Sequence, residues 1–316
     1  MAFFSGQASS YTELLNVLVS SCVAQGWTFA DGILSKETLF VKPSVGTTET
    51  AALGSGLIIR GGTGQSGSSL INPSSIQLRI GKPYPKDAIF KNPKFPLNYK
   101  IFVFPDPNEV FLIVRYDIDR FLYLAFGKSR TNGMGLWMSS SISQGMTTLE
   151  TTNDLASAIY INELGSISAR FQPNSFSHDI TGFFFQEYLY NKSEFSTEVI
   201  YSQTEGWIDS QKNSLNAVRT TSPLFARLPS AWSSQSPLLP VQVILSRPSS
   251  KNMVVAEIEH ARYIRIDYYE PEQIITLGND RWMVFPFFKK DMTVRNGYSG
   301  GDHSGTLGWA IRYDGP

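Results

Sequence analysis

Apolar positions along this chain repeat first with a helical period and then, almost throughout, with the two-residue period of β-strands. Ser10-Tyr11-Thr12-Glu13 has the form of a capping box, and Tyr11, Leu14, Leu15, Leu18 and Cys22 follow at helical spacing. The pattern predicts one amphipathic helix, stopped by Gly26. Immediately afterwards Asp31-Gly32, set between 27–30 and 33–35, predicts a tight hairpin with a type I′ turn. Short strands are expected at 37–42, 57–60 and 76–80, joined by Gly-, Ser- and Thr-rich loops.

The strongest strand signal in the first half runs from 99 to 127, where Pro105-Asp106-Pro107-Asn108 and Asp117-Ile118-Asp119 divide three apolar runs into a meander. In the middle run Val110, Leu112 and Val114 alternate with Phe111, Ile113 and Arg115, so burial is expected on both faces. A Gly-, Met- and Ser-rich passage, 133–145, places a domain boundary near residue 145. Beyond it Thr152 or Asn153 is expected to cap a short helix through Ala156 and Ile159 to Leu164, ended by Gly165. Aromatic segments follow at 182–190 and 196–201, and then a Pro/Ser-rich loop or arm at 222–240. Strands are expected at 241–246, 253–260, 263–268, 274–277, 281–288 and 307–313.

The fold class that emerges is α+β: mostly antiparallel β with an N-terminal helix, in two β-rich domains, 1–145 and 146–316. No period of about twenty to fifty residues repeats, which disfavours a solenoid or propeller. Composition narrows the function classes. Formal net charge is zero and charged residues make up 17%, below the roughly 25% of an average soluble chain. With no Lys/Arg cluster longer than Lys289-Lys290, there is no electrostatic footprint for nucleic acid. The first residues lack the charged and apolar regions of a signal peptide, and no segment reaches the roughly 20 apolar residues of a membrane span, so neither secretion by that route nor a membrane partner is expected. Cys22, the single cysteine, sits on the apolar side of the predicted helix and reads as a small buried hydrophobe.

The motifs that usually carry chemistry are broken here. Gly62-Thr63-Gly64-Gln65-Ser66-Gly67 matches G-x-G-x-x-G, but Pro73 interrupts the helix that would have to present its N-terminus to a dinucleotide phosphate. One cysteine and three scattered histidines, His178, His260 and His303, offer neither C-x-x-C nor H-E-x-x-H, and no G-x-S-x-G elbow occurs. Glu257 and Glu259 share one strand face, whereas glycosidase carboxylates face each other across a cleft. The expectation is therefore a non-enzymatic chain with no catalytic residue, cofactor or metal. Aromatic residues reach 13%, with core packing, protein interfaces and sugar stacking as their three uses.

Two stretches carry a resemblance. Leu277-Gly278-Asn279-Asp280-Arg281-Trp282-Met283-Val284-Phe285-Pro286, with the final Gly305-Thr306-Leu307-Gly308-Trp309-Ala310-Ile311-Arg312-Tyr313, resembles the C-terminal end of virion structural proteins of tailed bacteriophages. Arg120-Phe121-Leu122-Tyr123-Leu124-Ala125-Phe126-Gly127-Lys128-Ser129 resembles a strand near the end of the first domain of the same proteins. The resemblance implies a structural component of the virion, of the tail or baseplate, made in the host cytoplasm and assembled in symmetric copies with itself and other tail proteins. Candidate interface residues are Leu224, Phe225 and Trp232 on the arm, one of the pair Trp282 and Phe285, which point to opposite faces of a strand, and the terminal-strand anchors Trp309 and Tyr313. A receptor- or glycan-binding tail protein, a capsid or decoration protein, and a polysaccharide hydrolase are the alternatives.

Overall fold

The computed structural model describes residues 1–47, 55–74, 76–81, 93–118, 120–143, 158–161, 167–170, 198–209, 237–266, 268–286, 290 and 307–315. In chain order the elements begin with β1 (Ala2–Ala8), α1 (Tyr11–Val23), β2 (Thr28–Ala30), β3 (Ile33–Lys36), β4 (Leu39–Thr47) and β5 (Ser55–Gly62). Next come β6 (Gly64–Ser66), β7 (Ser69–Ile71), β8 (Leu78–Gly81), β9 (Leu97–Pro105), β10 (Asn108–Asp117) and β11 (Arg120–Lys128). The middle of the chain adds β12 (Met134–Ser140), β13 (Ile142–Ser143), β14 (Ala158–Ile161), β15 (Ile167–Arg170), β16 (Glu198–Ser202) and β17 (Gly206–Asp209). The last are β18 (Leu239–Arg247), β19 (Lys251–Arg265), β20 (Ile274–Leu277), β21 (Asp280–Pro286) and β22 (Leu307–Arg312). The described protein is thus mostly antiparallel β with one helix.

Helix α1 begins at the expected N-cap, Ser10, although Glu13 reaches back to Ser9 rather than to Ser10 itself. The Ser10 hydroxyl accepts from the Glu13 N–H at 3.1 Å, while the Glu13 carboxylate turns back to accept from the Ser9 N–H at 2.7 Å. Hydrogen bonds from the Ser9 hydroxyl and the Ser9 N–H hold the Glu13 carboxyl below its ordinary range. Leu14, Leu18 and Cys22 are fully buried, each of the leucines contributing about 1.5–3 kcal/mol by leaving water. Burial also pushes the Cys22 thiol far above its ordinary value, leaving it inert. Gly26, at φ 80°, ends the helical run, and Asp31 (φ 51°) with Gly32 (φ 80°) makes the left-handed pair that a type I′ hairpin requires.

Three sheets build the body. The central one has seven strands in the order β1-β9-β10-β11-β12-β16-β17, a second has six in the order β13-β8-β5-β4-β3-β2, and a third has five in the order β18-β19-β22-β21-β20. The central meander pairs as the sequence predicts, with Phe111 opposite Phe102 and Ala125, and Leu112 opposite Ile101 and Leu124. Its alternation sorts the core. Val110, Leu112 and Val114 pack with Leu14, Leu18, Val41 and Ile59 of α1 and the six-stranded sheet. Phe111 and Ile113 pack with Val243, Ile258, Phe285 and Trp309 of the five-stranded sheet. The central sheet is therefore the middle of three layers, buried on both faces.

Several expectations change. Strands β16 and β17 complete the central sheet, so residues on both sides of position 145 share one sheet. Ala158–Ile161 pairs antiparallel with Ile167–Arg170, in place of the helix expected to reach Leu164; the Ile159-Tyr160-Ile161 run suits a pleated strand better than a helix. The rest of that expected helix, the segment 182–190 and most of the 222–240 passage lie outside the described residues. The two strands expected at 253–260 and 263–268 are one strand, β19, bent at a bulge.

Trp309, 1% exposed, stands at the seam of the central and five-stranded sheets, 4.7 Å from the Tyr123 ring centroid. Trp309→Ala is expected to lower unfolding free energy by about 3–5 kcal/mol in chemical denaturation, while Ala at the exposed Ile118 changes it by less than about 0.5 kcal/mol.

Candidate functional site

The most distinctive chemistry in the described structure is a buried carboxylate at this seam. Glu109 occupies the same face of β10 as Phe111 and Ile113, so the alternation that buries them carries a charged group with them. Its Oε1 accepts from the Glu259 N–H at 2.9 Å, and its Oε2 accepts from the His260 N–H at 3.0 Å and meets His260 Nδ1 at 2.8 Å. The imidazole lies flat on the Phe104 ring, with centroids 3.9 Å apart and planes 9° from parallel. Directly across β11, Gly127 leaves the room: a Cβ there would stand 2.9 Å from Glu109 Cγ and 2.8 Å from the Asn108 carbonyl.

The two donated N–H groups belong to the bulge of β19. One step on β18, from Pro240 to Val241, spans Arg262 back to Ile258 on β19, so residues 259–261 leave that ladder. Their freed backbone groups must be satisfied elsewhere. Glu109 takes the N–H side. Arg262 takes the carbonyl side, its Nη1 donating to the Glu259 and Ala261 carbonyls at 2.7 and 2.8 Å, and its guanidinium rests 5.5 Å from the Trp282 ring centroid. On its other edge β19 pairs with β22, from Ala261 opposite Ile311 to Arg265 opposite Leu307.

At the far end of β10, on the same face, Arg115 meets Glu272 at 3.2 Å, and Lys100 from β9 reaches the same carboxylate at 2.6 Å. Glu272 holds a left-handed backbone, φ 68°, and its N–H donates to the Val284 carbonyl of β21 at 2.7 Å. That conformation costs on the order of 1 kcal/mol, which the two ion pairs and the backbone bond offset. One strand face thus fixes the five-stranded sheet at two points, Glu109 on β19 and Arg115 beside β21.

The candidates named from sequence fall as follows. Trp282, Phe285, Trp309 and Tyr313 are 6%, 0%, 1% and 4% exposed and serve the interior of this chain. Phe285 and Trp309 join the seam with the central sheet, while Trp282 packs on the opposite sheet face with Ile264, Val284 and Ala310. The Tyr313 ring packs edge-on against Phe3, 5.1 Å away. Leu224, Phe225 and Trp232 lie outside the described residues, as do His178 and His303. Gly64–Ser66 of the glycine motif pairs with Ser69–Ile71 in a short hairpin. Glu257 accepts from Gln242 Nε2 at 3.1 Å and Glu259 lies 3.8 Å from Arg130, so each of these carboxylates faces its own partner.

Glu109 is the residue that pattern reading passed over. Its signal is position: a glutamate in phase with Phe111 and Ile113, opening a run expected to be buried on both faces. Among the described residues no group of three metal-ligating side chains occurs, and no hydroxyl or thiol is hydrogen-bonded to His260. What the arrangement does chemically is satisfy a bulge and lock two sheets.

Burial, opposed by the hydrogen bonds from His260 and the bulge, raises the Glu109 carboxyl above its ordinary value. A raised carboxyl contributes stability that is full below the unfolded value of about 4.3 and is lost as pH rises through the folded one. Glu109→Gln, which leaves one of two bulge N–H groups without an acceptor, is expected to cost about 1–3 kcal/mol. The deficit should narrow as pH rises across that window, read from denaturation curves at a series of pH values.

No protein-family model matches the chain, and no curated protein matches its sequence.

Proposed function

We propose that this chain is a non-enzymatic structural component of a tailed-bacteriophage virion, of the tail or baseplate, acting in multiple symmetric copies. The observation that carries the reading is where the resembling segments meet. β11, β21 and β22, remote in sequence, converge on one aromatic cluster: Tyr123 lies 4.7 Å from Trp309 and 6.4 Å from Phe285, and the Tyr123 hydroxyl donates to the Pro286 carbonyl. The segments that carry the resemblance thus form one packing unit of this chain rather than scattered short words.

The surface is compatible with assembly. β20 ends the five-stranded sheet, and among the described residues no strand pairs with its outer edge. Its Ile274-Ile275-Thr276-Leu277 carries no charge or proline, and Ile274 and Leu277 are 41% and 39% exposed. Edges left so undefended invite pairing with another chain. Modest contacts of this kind become strong when a closed ring makes them all at once. No described helix is long and apolar enough to cross a membrane.

Antibody-gold labelling of phage particles carrying this chain tests the placement: label at the tail supports it, label over the head moves the protein to the capsid, and unlabelled particles overturn the virion reading. For assembly, sedimentation over a concentration series should show self-association weakened at least about tenfold, or roughly 1.4 kcal/mol, by Ile274→Lys with Leu277→Lys. Unchanged association would remove β20 from the interface.

A further inference from the structure

The chain contains two Asn-Gly pairs, at 132–133 and 296–297, and the first lies in the described turn between β11 and β12. Met134 N–H donates to the Thr131 carbonyl at 3.0 Å and Gly133 has φ 78°, which makes residues 131–134 a β-turn with glycine at its left-handed position. Asn132 is exposed. Nothing comes within 4 Å of where a Gly133 Cβ would stand, so the turn is not packed against a neighbouring element on that side. Among the described residues that N–H has no acceptor.

We propose that Asn132-Gly133 is a site of spontaneous covalent modification, where the Asn132 amide becomes a mixture of aspartate and isoaspartate. The Gly133 nitrogen attacks Asn132 Cγ and a new N–Cγ bond closes a five-membered imide. The Cγ–Nδ2 bond breaks, and ammonia departs with the proton from the Gly133 amide. Water then adds across one of the two imide C–N bonds, giving aspartate or isoaspartate; nothing is oxidised or reduced.

To react, the turn must open far enough to bring the nitrogen onto Cγ. Two bonds resist, Met134 N–H to the Thr131 carbonyl and Gln203 N–H to the Gly133 carbonyl at 2.9 Å. Turns of this kind sit at the low end of local stability, and asparagine is among the thermolabile residues. Either product adds a negative charge to a chain whose formal net charge is zero. Isoaspartate also lengthens the backbone inside the turn on which the 203–205 loop docks through Gln203.

The test incubates the folded full-length chain in mildly alkaline buffer and follows the peptide containing residue 132 by mass spectrometry, with isoaspartyl methylation as a second readout. The expected result is an amide-to-acid mass gain and methylation at residue 132, both abolished by Asn132→Gln, whose longer side chain cannot close a five-membered ring. The peptide containing 296–297 is read separately. If residue 132 keeps its amide in the folded chain over an interval in which urea-unfolded chain converts, the turn protects it and the proposal is overturned.

Discussion

The described core is arranged around a sheet that must be covered on both sides. β10 is buried along nearly its whole length, and its two side-chain rows belong to two different cores. Neither row can face water without exposing several large apolar side chains, each worth about 1.5–3 kcal/mol. The helix and six-stranded sheet satisfy one row, and the five-stranded sheet satisfies the other. The outer layers are thus obligatory partners of a strand that cannot be stable without them.

Apolar burial alone is non-directional and would let two sheets slide. Polar groups at the ends of the odd-numbered row of β10 supply the missing direction. Glu109 accepts from two consecutive N–H groups that exist as free donors only because β19 bulges there. Arg262 occupies the carbonyl side of the same bulge, and Glu272 anchors the opposite end through Lys100 and Arg115. A one-residue slip would present the wrong backbone groups to Glu109, leaving a buried carboxylate and buried donors unpaired. The bulge and the acid therefore specify each other.

Much of the architecture was legible locally because it is decided locally. The capping box at Ser10, the left-handed pair Asp31-Gly32 and the alternation of 110–115 each follow from neighbours in sequence. What escaped was decided by remote residues. Glu109 reads as a strand-end charge until β19, about 150 positions on, supplies its partners. The 253–268 region reads as two strands, and only the ladders of β18 and β22 show one continuous strand bulged at 259–261. Trp309, Phe285 and Tyr313 carried an aromatic signal that suits a core or an interface equally, and enclosure by β1, β9 and β11 decides for the core.

That last outcome changes what the resemblance can mean. Were Trp282, Phe285 and Trp309 exposed, they would point to a partner on that surface. Buried as they are, they constrain only the fold, since aromatic packing to interior density admits few alternatives. The residues that choose neighbours must then lie where packing leaves them free, on edges such as β20 and on loops, where sequence is least constrained by the core. A chain of this design can keep its seam while exchanging its contacts.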